Sequence, residues 1–216
     1  MSFMTMLSKR FALPERHTAL PGRPVPRLPG GPHEVSGRAL VPPYPEGSRI
    51  LLAGMGRFRS AEQLFWSVPG VFVTAAGYAG GYTENPTHNE VHTGRTGHAE
   101  VVQVVYDPAS TDLEALLALF WENHDPTQGM RQGSDQGTQF RSILIVEADD
   151  LACAQSSLCR YQAALSDAGV SRPITTVVTT DKPFYFAEDF HQQQAAKQPS
   201  AVRKPKGIGI PFPLHV

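Results

Sequence analysis

Three groups of residues in this chain carry side chains that can do chemistry. The first is a crowd of imidazoles and carboxylates, His88, Glu90, His92 and His98, in one glycine-rich stretch. Zinc would need three or four converging ligands with an ordered outer layer. His88-Asn89-Glu90-Val91-His92 puts its glutamate third rather than second, so it is not the metalloprotease pattern, and no helical pattern supports it. No metal is expected. The second group is Arg57, Arg59, Arg95 and Arg131. Gathered, these would grip a carboxylate or phosphate; scattered, they are surface charge, and spacing leaves both readings open. The third is a thiol pair, Cys153 and Cys159, six residues apart on an expected helix and therefore roughly 120° apart around it. They read as structural thiols. Glu100 and Asp135, taken alone, read as an exposed strand carboxylate and a turn residue capping its own backbone.

The elements that would position these groups start near Arg49. Ile50-Leu51-Leu52-Ala53, closed by Gly54 and Gly56, suits a buried strand. Ala61, Leu64, Phe65 and Val68 form a helical stripe from 57 to 68, ended by Pro69-Gly70, and 71–78 is the next strand. A long glycine-rich loop follows to residue 98, and its aromatics and histidines favour a functional role. Residues 99–106 form a strand. Thr111 and Glu114 have capping-box spacing before a helix with Leu113, Leu116, Leu117 and Phe120 on one face. After a second polar loop come a strand over 140–146, a helix over 148–168, a strand over 174–179 and a helix over 188–197. The order β-α-β-β-α-β, with a further α-β, predicts an α+β, ferredoxin-like core: a two-layer sandwich of sheet and helices with long loops meeting at one end.

Composition narrows the remaining choices. The chain has 216 residues, 41% hydrophobic and 18% charged, enough for one sizeable core. A formal net charge of -1 argues against a nucleic-acid surface, which needs clustered cations to displace counterions. No apolar run approaches the roughly 18 residues of a membrane span, and the first residues lack a signal-peptide pattern, so the cytoplasm is the expected compartment. Two cysteines make neither a disulfide scaffold nor a four-cysteine zinc site. Nine of the nineteen prolines lie between Pro14 and Pro45. Residues 1–47 therefore read as an extended arm, either wrapped over the domain or free as a tail. The domain proper is expected over 48–198, with a Pro/Gly-rich tail over 199–216.

The motifs resemble the peptide methionine sulfoxide reductase A family. They are Gly77-Tyr78-Ala79-Gly80-Gly81-Tyr82, Asn85-Pro86-Thr87, the run from Thr93 to Glu100, Phe120-Trp121-Glu122-Asn123-His124-Asp125-Pro126, the run from Gln132 to Gln139, and Phe184-Tyr185 through His191-Gln192. The resemblance implies thiol chemistry on methionine sulfoxide, free or in proteins. A cysteine thiolate attacks the sulfoxide sulfur, an acid assists the departing oxygen, and the resulting sulfenic acid is resolved to a disulfide that thioredoxin reduces. No other cofactor is implied.

This chain departs from that pattern where the chemistry begins. The family's Gly-Cys-Phe-Trp motif falls on Gly56-Arg57-Phe58-Arg59, with Glu62, Leu64, Phe65 and Trp66 keeping the register. Arg57 takes the nucleophile's place and Arg59 the tryptophan's. A guanidinium is always protonated and offers no lone pair for attack. By the same resemblance Glu100 is the acid, Phe58 is a wall for the substrate methyl group, and Asp135 holds a polar substrate atom or Arg57. A cation beside Glu100 would favour its carboxylate over the acid that the chemistry needs. His88 replaces a tyrosine after Asn-Pro-Thr, Phe140 replaces a second pocket tyrosine, and no resolving cysteine follows residue 198. The expectation is a reductase in descent, inactive or severely impaired; the alternative is a non-catalytic module binding sulfoxide-bearing or anionic ligands.

Overall fold

A computed structural model of the chain describes residues 11–203 and 205–214. The first ten residues of the expected arm and positions 204, 215 and 216 of the expected tail lie outside the described residues.

The chain forms β1 (Arg49–Met55), α1 (Phe58–Phe65), β2 (Val71–Ala79), α2 (His88–His92), β3 (Ala99–Tyr106), α3 (Leu113–Glu122), β4 (Ser142–Val146), α4 (Leu151–Asp167), β5 (Val177–Thr180), β6 (Phe184–Phe186) and α5 (Gln194–Lys197). One six-stranded mixed sheet has the order β5-β4-β1-β3-β2-β6. Each of the four central strands is antiparallel to its neighbours among them, with Ala53 opposite Val102, Gly54 opposite Ile143 and Tyr78 opposite Glu100. β5 joins one edge parallel to β4, and β6 joins the other antiparallel to β2. The sheet therefore carries one strand more than the five expected from the sequence, the short β6.

Both faces of this sheet are covered, which explains why β1 reads as a continuous apolar run and why every residue of β3 is buried. On one face Leu51, Tyr106 and Leu144 pack with Phe65 of α1, Leu116 and Trp121 of α3, and Tyr161 of α4. On the other, Leu52, Val101 and Ile143 make a second cluster, and Leu40 of the arm packs on Val73, Ala75 and Val105. The two-layer expectation is corrected here: ordered, largely irregular chain from the arm forms a third covering. Arm residue His33 lies against Thr74 at 3.1 Å, Arg38 donates to the Phe72 carbonyl at 2.6 Å, and Gly30 donates to Asp189 at 2.9 Å.

Three other expectations shift. The expected capping box at Thr111 is absent: Asp112 is the N-cap of α3, accepting from the Ala115 N–H at 2.7 Å. The helix expected over 188–197 shrinks to α5. Gln192 instead clamps the sheet, accepting from the Ala76 N–H at 2.9 Å and donating to its carbonyl at 2.8 Å. Gln193, at φ 47°, gives its N–H to buried Glu62 of α1 at 2.9 Å. Burial raises the Glu62 carboxyl to about 7, against the pull of its Gln193 and Thr74 hydrogen bonds. Third, the glycine-rich loop contains α2, which the sequence reading left as irregular chain. The tail docks on α3 and α4: Phe212 is buried, its N–H donates to Glu122 at 2.7 Å, and Gly207 passes so close to the Glu122 carbonyl that any Cβ would collide with it. No helix among the described residues is long and apolar enough to cross a membrane.

Fully buried His124 ends α3, with Nδ1 2.7 Å from the Phe120 carbonyl and Nε2 2.7 Å from the Ser142 hydroxyl. Burial pushes it down to about 4, and burial does the same to His33, His98 and His191. A group whose folded pKa is depressed contributes stability that is present above its unfolded value near 6.5 and lost as pH falls toward 4. For His124 that contribution is about 3 kcal/mol. The thermal midpoint should therefore fall between pH 6.5 and 4, and His124→Gln should flatten that fall while lowering stability at pH 7; an unchanged slope would contradict the assignment.

Candidate functional site

Glu100 is the organising residue. Its place on β3, opposite Tyr78, aims a 1% exposed carboxylate beneath the start of α1. Oε2 accepts the Phe58 N–H at 3.1 Å, satisfying one of the free donors of the first helical turn. Oε1 lies 2.9 Å from His92 Nε2. The exposed-strand reading of Glu100 from spacing alone is thereby overturned.

Gly56, at φ +90°, makes the sharp exit from β1 that sets Arg57 as the N-cap of α1. Arg57 offers no capping side chain. Its guanidinium turns instead to Asp135, Nε to Oδ2 at 2.8 Å and Nη2 to Oδ1 at 2.5 Å, a two-pronged fork. These hydrogen bonds hold the Arg57 pKa above its ordinary value against the opposing effect of burial, and the charges of Asp135 and Glu100 add to it. Asp135 comes from a two-residue ladder in which Gln132 pairs with Asp135. The guanidinium also lies over the Phe140 ring, 4.9 Å from its centroid.

α2 supplies the other wall. Thr87 and Glu90 form a reciprocal capping box, and arm residue Arg23 forks onto Glu90 with two 2.7 Å contacts. Burial opposes it, but the Arg23 hydrogen bond outweighs that and holds Glu90 down at about 2. Glu90 is thus spent on holding the helix. His88 and His92, one turn apart, face each other with ring centroids 4.0 Å apart, and His191 packs on His88 at 4.4 Å. Burial, then His92, lowers His88. Phe58 lies against Tyr78 and His191. Tyr78 donates to Glu188 at 2.9 Å, and burial raises its phenol. Burial also pushes Glu188 up, but hydrogen bonds from the His88 and Glu188 backbone and from Tyr78 outweigh it and hold this carboxylate below its usual range.

The structure thus gathers Arg57, Phe58, His88, Glu100, Asp135 and Phe140. Arg59 makes no hydrogen bond or ion pair with these residues, and its Nε is buried without a hydrogen-bond partner. The four arginines do not converge: Arg131 is exposed on the two-residue ladder and Arg95 is exposed beside the arm. His98 is buried away from the histidine pair, 2.7 Å from the Thr83 carbonyl. Cys153 and Cys159 lie exposed on α4; burial raises the Cys153 thiol, and the charges it feels are Glu114, Asp150, Arg160 and Asp112, none of them in this site. Sequence reasoning missed His191, Glu188 and the pairing of His92 with Glu100. The four-residue spacing of His88 and His92 was the available signal. A cleft of about 410 Å³ opens elsewhere, along the seam of arm and core at His33, Glu34, Asp189 and Lys197; Arg57, Glu100 and Asp135 do not line it.

The family profile "Peptide methionine sulfoxide reductase" matches residues 48–206. The chain belongs to the peptide methionine sulfoxide reductase family. It is 53% identical over 212 residues to peptide methionine sulfoxide reductase MsrA 1 of Caulobacter vibrioides, covering 98% of this chain and 97% of that one. It is 51% identical to MsrA of Brucella melitensis over 99% of this chain and 98% of that one. Among solved structures, methionine sulfoxide reductase A of Corynebacterium diphtheriae superposes with a TM-score of 0.81 at 40% identity, covering 93% of this chain and 99% of that one.

The Arg57–Asp135 fork is two-thirds buried on both sides, with side-chain exposures of 32% and 28%. A double-mutant cycle with Arg57→Met and Asp135→Asn should give a coupling on the order of 1 kcal/mol that shrinks with added salt. A coupling of zero at low salt would show that the fork does not form in solution.

Proposed function

We propose that this protein keeps a methionine-sulfoxide-recognising site but does not run the family's thiol cycle, and acts as a binding module for sulfoxide-bearing ligands. The observation that carries this reading is the Arg57–Asp135 fork at the N-terminus of α1. The resemblance puts a nucleophilic sulfur there, and sulfoxide reduction by that route needs a soft atom that forms a reducible sulfenic acid. A guanidinium tied to Asp135 does neither. Neither cysteine of the chain stands in for it, since both lie exposed on α4. With no resolving cysteine, thioredoxin has no disulfide to reduce, so its partnership with this chain falls away in this reading.

Recognition is supported separately. Phe58, packed against Tyr78 and His191, is an apolar wall suited to a methyl group. Glu100 stays aimed at the start of α1. Relatives about half identical over nearly the whole chain bear the reductase name, which makes methionine sulfoxide the first ligand class to test. An anionic ligand is the second reading, and Arg57 favours it only when released from Asp135.

Purified protein should show no turnover of a methionine S-sulfoxide peptide with dithiothreitol or thioredoxin, while calorimetry detects binding of the same peptide. Clear turnover by the wild-type chain would overturn the reading. Arg57→Cys combined with Arg59→Trp should yield at least a single turnover with dithiothreitol, showing that Glu100 and the Phe58 wall remain competent.

A further inference from the structure

We infer that His88, His92 and Glu100 form a binding site for a single divalent transition-metal ion of the zinc type. This stands apart from the reading of the sulfoxide site, since it needs neither a thiol nor a sulfoxide. The ligating atoms of the three side chains all lie within 4.8 Å of one another. Zinc bonds of about 2.0–2.2 Å place tetrahedral ligands about 3.4 Å apart. His92 Nε2 and Glu100 Oε1, now 2.9 Å apart, must part slightly and the remaining separations must close by about an ångström, within the reach of side-chain rotation.

The donor set is two imidazoles and one carboxylate, a combination that zinc sites use with a fourth position left open. Its scaffolding also fits a metal centre. His88 and His92 are four residues apart on α2, so one helical face presents both. The Thr87–Glu90 capping box holds that short helix together, and the Arg23 fork onto Glu90 fastens it to the arm. Glu100 keeps one oxygen on the Phe58 N–H while the other faces His92, the kind of outer hydrogen bond that orients a ligating carboxylate. His191 packs on the far ring of the pair and limits its rotation.

Charge does not oppose the ion. Arg57 is the cation facing the site, and its fork onto Asp135 makes that pair neutral overall. Glu100 brings one negative charge, and Glu188, hydrogen-bonded to the His88 N–H, adds another nearby. To ligate, His92 presents its Nε2 lone pair as the neutral imidazole with its ring proton on Nδ1. The sequence alone argued for no metal because His88-Asn89-Glu90-Val91-His92 lacks the metalloprotease spacing and lies in a glycine-rich stretch; Glu100 of β3 was not among the residues weighed there.

The test uses tag-free, full-length protein stripped with chelator and titrated with Zn²⁺ by calorimetry and with Co²⁺ by visible absorption. One ion per chain should bind, with cobalt bands of four-coordinate intensity. His88→Gln and His92→Gln should each weaken binding by roughly tenfold or more, His92→Asp should restore part of it, and His17→Gln, in the exposed arm, should leave it unchanged. The wild-type titration stands on its own should a variant fail to fold: absence of saturable binding overturns the site. So does wild-type affinity in folded His88→Gln and His92→Gln variants.

Discussion

One buried carboxylate holds the functional end of this molecule together. Glu100 rises from the middle of the sheet and divides its two oxygens between the first N–H of α1 and the ring of His92. A carboxylate so buried persists only where both oxygens find donors. Three elements, β3, α1 and α2, are therefore fixed relative to one another by a single side chain. Whatever occupies the site must share Glu100 with that structural duty.

The second constraint is the placement of a permanent cation. A helix N-terminus repels positive charge, so Arg57 would be badly housed if it pointed along the helix axis. The fold resolves this by swinging the guanidinium sideways into Asp135 and over Phe140. The result is a neutral, self-satisfied pair at the N-terminus of α1. Phe140 suits this arrangement because a bare ring face accepts a guanidinium.

Much of this was legible in the sequence because local patterns were strong. β3 was read with its observed ends, since an eight-residue valine-rich run stopped by Asp107-Pro108 has little freedom. The central strand order follows from the β-α-β-β-α-β succession. Less legible were features whose cause lies far away in the chain. Gln192 and Gln193 carry helix-forming propensity, yet their amides are claimed by Ala76 and Glu62, more than a hundred residues earlier. β6 is too short to announce itself and exists because β2 has an open edge. In the site, the sequence groups Glu90 rather than Glu100 with the histidines, whereas in the fold Arg23 of the arm holds Glu90 and Glu100 faces the Phe58 N–H and His92. Asp135 was read as a turn cap, as a holder of a polar substrate atom or as the partner of Arg57; in the fold it is hydrogen-bonded to Arg57.

The arm's grip on α2 carries a lesson about boundaries. The family profile begins at residue 48, yet Arg23 sits outside it and fastens Glu90 inside it. Leu40 likewise fills a hollow on the sheet that the profile-matched segment cannot fill for itself. The segment matched by the family profile is thus smaller than the unit that packs together, whereas the relatives similar over 98% or more of the chain include the arm. A version trimmed to the recognisable portion would carry its two facing histidines on a five-residue helix with one mooring cut.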